Sequence, residues 1–87
     1  MRSARFNCAI VLTDHAKRRM AERNIDESLI LLLVETGEVR HQDARRFWIA
    51  KHFAERSDNL ICAAVVKDNG LLVIKTLMHH FVWSISP

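Results

Sequence analysis

At 87 residues the chain has room for one domain and one modest core. It is 49% hydrophobic and 26% charged, with two Gly and one Pro, which excludes a disordered or loop-dominated chain. The formal charge is +3, from 13 Lys plus Arg against 10 Asp plus Glu, a mild basicity that permits nucleic-acid binding without demanding it.

In chain order, FNCAIVL (6–12) alternates, with Phe6, Cys8, Ile10 and Leu12 on one side, and predicts a strand. The opening apolar run is too short for a signal-peptide core, and no run approaches the roughly 18 residues of a membrane span, so a cytoplasmic protein without membrane contact is expected. Thr13 or Asp14 suits a helix N-cap, and residues 14–23 are helix formers. Asn24 can take the left-handed conformation that ends a helix, with Ile25 folding back on it. Asp26 is the next N-cap, and DESLILLLVET (26–36) forms a second helix that stops at Gly37. Leu29 to Val34 is six apolar residues in a row and leaves no polar face across nearly two turns. Such a helix is sandwiched or covered, and a homodimer or hetero-complex through Leu29, Leu32 and Leu33 is expected.

After Gly37 the pattern turns to strands: 38–41, then RRFWIAKHF (45–53), LICAAVVK (60–67) and 71–82. Ser57-Asp58-Asn59 and Asp68-Asn69-Gly70 mark turns, the second a tight hairpin. The order is β-α-α-β-β-β-β, a single α+β domain over 1–87 with two helices on one face of an antiparallel sheet. Cys8 and Cys62 are read as small core residues.

Three clusters carry candidate chemistry. On the first helix His15, Arg19 and Arg23 stand four apart on one stripe, with Arg18 and Glu22 beside them. The plain alternative is a solvated face pinned by Asp14–Arg18 and Glu22–Arg19 ion pairs. In RRFWIAKHF, Arg45, Phe47, Ile49, Lys51 and Phe53 share one face, expected to be the inner one, which puts Arg46, Trp48, Ala50 and His52 on the open one. Guanidinium for phosphate, indole for stacking and imidazole for proton transfer suit a nucleotide, although an exposed sheet face is equally ordinary. The third cluster is VIKTLMHHF, where Lys75 and His79 alternate with Thr76 and His80. Adjacent histidines on a regular strand point to opposite faces, so no shared metal is expected, and no glycine-rich loop suggests a cofactor. His, Arg and Lys are instead the set for metal-free RNA cleavage, in which a base takes the 2′-hydroxyl proton and cations hold the phosphorane.

The run LTDHAKRRMAERNI, with the second helix and the VVKDNGLLVIKTL hairpin, resembles a bacterial domain family of unknown function, number 4258. The resemblance runs from about Leu12 to Leu77 and is most specific at His15, Ala16, Arg19, Met20, Glu22, Arg23 and Ile25. Asn24 stands where that family usually has glycine. The family is similar in layout to the RelE/ParE-like toxins, some of which cut RNA and others inhibit gyrase. The resemblance implies a toxin-like fold more firmly than an activity, and only His15, Arg19 and Arg23 carry over, without an assigned role.

The expectation is therefore a toxin-like, metal-independent ribonuclease with His15, Arg19, Arg23 and His52 as catalytic candidates. Arg18, Arg46, Trp48, Lys75 and His79 would hold RNA, and an antitoxin protein is the expected partner. The alternatives are a non-enzymatic interaction module of the same fold or a gyrase inhibitor.

Overall fold

The computed structural model describes residues 1–54 and 60–79; the turn expected at 57–59 and the strand end expected at 80–82 lie outside the described residues. Eight elements follow one another: β1 (Arg2–Ser3), β2 (Cys8–Leu12), α1 (Asp14–Glu22), α2 (Glu27–Thr36), β3 (Glu38–His41), β4 (Arg46–His52), β5 (Leu60–Asp68) and β6 (Leu71–His79). The fold is α+β. All six strands form one sheet in the order β1-β2-β6-β5-β4-β3. Four of the five pairings are antiparallel, but β2 runs parallel to β6, with Ala9 opposite Leu71 and Leu12 opposite Ile74. The sheet is thus mixed rather than wholly antiparallel, because the two helices between β2 and the meander carry the chain back to the same end.

β1 is a strand the alternation does not predict, and β2 is shorter than the strand expected over 6–12. Asn7 takes a left-handed φ of 52° and turns the chain between β1 and β2, so Phe6 belongs to the turn. The helix ends follow their local chemistry. The Thr13 hydroxyl accepts from the Ala16 N–H at 3.1 Å, and Asp26 accepts from the Leu29 N–H at 2.8 Å. At the end of α1 Asn24 has φ 54°, and the Ile25 N–H reaches the Met20 carbonyl at 2.9 Å, which closes a Schellman motif over the buried Ile25. Gly37 differs from expectation: its φ is −73°, so no left-handed turn requires it. A Cβ there would stand 2.5 Å from Ile49 Cγ2 and 2.6 Å from the Leu33 carbonyl oxygen, so Gly37 is there for close packing.

One core joins both helices to one face of the sheet. Ala16 of α1 and Ile30, Leu33 and Val34 of α2 meet Ile10, Phe47, Ile49, Ala63, Val65, Leu72, Ile74 and Leu77. Phe47, Ile49 and Phe53 enter the core as the alternation of β4 predicts, while Arg45, expected beside them, is exposed, and Ala50, expected on the open face, is buried at 3% without joining this core. In β6 the alternation fails, because the register shifts between Ala64 and Val65: Ala64 faces Thr76 while Val65 faces Ile74. Lys75 is the extra residue of a β-bulge, and so Ile74 and Leu77, three apart, both point inward. Leu33 is fully buried in this core and offers nothing to a partner, which corrects its place in the expected interface; Leu29 is half-buried, and Leu32 is 44% exposed. Among the described residues no helix is long and apolar enough to cross a membrane.

Candidate functional site

The site begins at the bulge. β2 pairs with β6 only as far as Ile74, so the second half of β6 lacks that neighbour, and α1 lies along it. Thr13 ties the two together. Its hydroxyl donates to the Lys75 carbonyl at 3.0 Å while it caps the helix, and its N–H reaches the Ile74 carbonyl at 3.1 Å. This anchor fixes how α1 presents its side chains to β6.

The His15, Arg19, Arg23 stripe faces that strand. His15 is exposed, and its Nε2 lies 3.1 Å from the Thr76 hydroxyl, with the donor set by the imidazole tautomer. Arg19 and Arg23 are half-buried and line a groove of about 400 Å³ together with Thr76, Leu77 and Met78. Arg19 also meets Glu22 at 3.2 Å, one of the two expected ion pairs; among the described residues Asp14 and Arg18 form none, and Arg18 is exposed. The surface pair at Arg19 is weak and leaves the guanidinium available to a stronger anion.

A second concavity lies on the open face of the sheet, next along β6. It measures about 460 Å³ and is lined by Asp43, Arg45, Arg46, Val66 and Lys75. A smaller hollow of about 90 Å³ adjoins it, with Gln42, Trp48 and Ala64 added to the shared Arg46, Val66 and Lys75. Asp43 organises this end. It accepts from the Arg45 and Arg46 backbone N–H groups at 2.9 and 2.8 Å and from the Arg46 Nε at 2.9 Å. The Arg45 N–H, then the Arg46 guanidinium and N–H, hold its carboxyl at about 2. Arg46 is thus paired on the surface with Asp43, through one edge of its fork.

Six of the nine expected residues fall into two adjoining groups, and the exposed Arg18 lines neither. His15, Arg19 and Arg23 form the first, and Arg46, Trp48 and Lys75 the second. Neighbouring Lys75 and Thr76 link them. His52 stands apart. It is exposed at the far end of β4, four residues beyond Trp48, which is itself two strands from Thr76. By strand rise and spacing, Thr76 and His52 are about 16 Å apart along the sheet, beyond a shared proton transfer. The His79 backbone pairs with Ile61, and its side chain lies outside the described residues. Among the described residues no three His, Cys, Asp or Glu side chains come together as a set of metal ligands.

Sequence reasoning did not find Thr76, Gln42 or Asp43. Thr76 was hidden because the unbulged alternation sets it on one face with Ile74. Asp43, three residues before Arg46 in a short turn, carried a usable signal: Asp favours such side chain to backbone bonds.

Together these features define a small α+β domain whose basic groove forms where a helix runs along a partly unpaired strand. The chain belongs to the family described as Domain of unknown function (DUF4258), whose model matches residues 12–79. The matched span holds both helices and all the strands that build the two grooves; it leaves out β1 and most of β2. No curated protein and no solved structure matches the chain.

Proposed function

We propose that this protein is a toxin-like ribonuclease that works by metal-independent transesterification. The observation that carries the proposal is the meeting at Thr76: its hydroxyl holds the exposed His15, and the same residue lines the groove whose other side is made by two half-buried arginines, Arg19 and Arg23. In the tautomer whose Nε2–H donates to Thr76, the Nδ1 lone pair of His15 is free to take the proton of a ribose 2′-hydroxyl. The 2′-oxygen then attacks the adjacent phosphorus, the bond to the 5′-oxygen breaks, and a 2′,3′-cyclic phosphate and a 5′-hydroxyl result. Arg19 and Arg23 stabilise the charge on the phosphorane, and water protonates the leaving oxygen because His52 is too distant. A positioned base of this kind contributes about 10²- to 10⁴-fold.

The test is purified protein with unstructured RNA in chelator, with product ends identified. Cleavage giving cyclic phosphate, reduced about 10²-fold in His15→Ala, is the expected result. No cleavage, or equal cleavage by the variant, sinks the proposal.

One observation favours a second reading, an interaction module. Leu32 stands 44% exposed on α2, beside a shallow depression of about 310 Å³ formed with Ser28, Leu31 and Glu35. A partner protein in the role of an antitoxin, or a second copy, would dock there with or without catalysis at His15.

A further inference from the structure

We infer that the open sheet face beside the bulge is a binding subsite for an unpaired nucleotide, and that the substrate class is single-stranded rather than duplex RNA; this rests on the ribonuclease reading. Three observations converge. First, the hollow around Trp48 is rimmed by cations, Arg46 and Lys75, while its floor is apolar, from Ala64 and Val66. An apolar floor under a cationic rim suits a base whose phosphates lie at the edge. Second, Asp43 pairs with the Nε edge of the Arg46 guanidinium and so keeps this cation at the rim of the hollow. Gln42 lies at the same hollow and carries an amide able to pair with a base edge.

Third, the register sets the distance. Thr76, Ala64 and Trp48 lie in one row across three strands, so the indole stands about 10 Å from the residue that holds His15. Bases rise about 3.4 Å per step within one strand of a duplex, so this gap spans a few nucleotides at most. A base that enters the hollow must leave its own stack, which a free strand does at little cost and a duplex does not. Lys75, pushed out by the bulge and lining both open-face hollows next to Thr76, holds the phosphate between the stacked base and the scissile bond.

The experiment uses full-length His15→Ala protein, so that binding is read apart from cleavage. A fluorescein-labelled 12-nucleotide RNA is titrated, alone and annealed to its complement, by anisotropy at two salt concentrations. The single strand is expected to bind at least about tenfold tighter than the duplex. Adding Trp48→Ala is expected to weaken single-strand binding about tenfold, with Trp48→Phe restoring most of it, and Lys75→Gln to lower the salt dependence by about one phosphate contact. Equal affinity for the two RNA forms overturns the inference, and so does unchanged binding in both Trp48→Ala and Lys75→Gln. Selective binding without cleavage by the unmodified protein retains the subsite and refutes the ribonuclease. Cleavage indifferent to Trp48 and Lys75 does the reverse.

Discussion

At the scale of single residues, the chain uses a few side chains to hold backbone in place, and those are the ones whose loss has a definite sign. Asp43 is the sharpest. Its folded carboxyl titrates at about 2 against an ordinary 3.8, so the unfolded chain binds its proton first as pH falls. The stabilisation from Asp43 is thus complete above the unfolded value and disappears as pH falls toward the folded one. Urea midpoints of the protein and of Asp43→Asn are expected to differ by a constant amount above about pH 5 and to converge near about pH 2. A gap independent of pH would show that the turn does not depend on the charge. Gly37→Ala tests packing instead of charge. Its Cβ would meet backbone and a fully buried isoleucine, and overpacking of this kind costs about 1–3 kcal/mol, read as a lower urea midpoint at unchanged slope. Much at this scale was legible in the sequence. Asn24 and the Asn69-Gly70 hairpin, with φ values of 54°, 53° and 76°, are where local chemistry places them. Gly37 was legible as a helix end but not for its reason, since close approach by Ile49 is a tertiary fact.

At the scale of elements, the bulge in β6 and the cap of α1 form one device. Thr13 bonds the carbonyls of the residue before the bulge and of the bulged residue through its N–H and hydroxyl, and the same hydroxyl caps the helix. Thr13→Ala should therefore cost more than a surface cap, about 1–2 kcal/mol. It should also loosen α1 against β6, so that Thr13→Ser, which keeps the hydroxyl, recovers most of the loss in thermal melts. Equal loss in Ala and Ser variants would mean that the threonine methyl carries the effect. The N-terminal arm is a second device. Burial works to raise the Glu35 carboxyl, but the Arg5 and Ala4 N–H groups, the Ser3 side chain and the Arg5 charge together hold it low. Arg5 in turn donates to the Val34 and Gly37 carbonyls at the end of α2, at 3.1 and 2.7 Å, where the helix dipole favours a cation. Neither device was legible in the sequence. Both join residues about 30 or more positions apart, and periodicity reports only neighbours. The helices, their caps and the core-facing Phe47 and Ile49 of β4 were legible because each rests on spacing within a few residues.

At the scale of the whole molecule, the functional question is one of faces. The sheet covers one side of the core and the helices the other. The two grooves are neighbours through Lys75 and Thr76 at β6, while Leu32, the exposed apolar residue of α2, turns away from the core that Ile30, Leu33 and Val34 enter. The excess of +3 is small, so any grip on RNA must come from local clustering of cations rather than from the field of the whole chain. That separation makes the two readings independent in experiment. Leu32→Glu changes an exposed position and should alter stability by no more than about 0.5 kcal/mol. If a second copy docks on α2, the substitution is expected to abolish that association, measured by sedimentation velocity, and to leave RNA cleavage unchanged. His15→Ala is expected to do the opposite. If Leu32→Glu lowers cleavage as well, the active species is an assembly through α2. If His15→Ala lowers docking, α1 belongs to the interface and its basic stripe is a protein contact rather than a phosphate site.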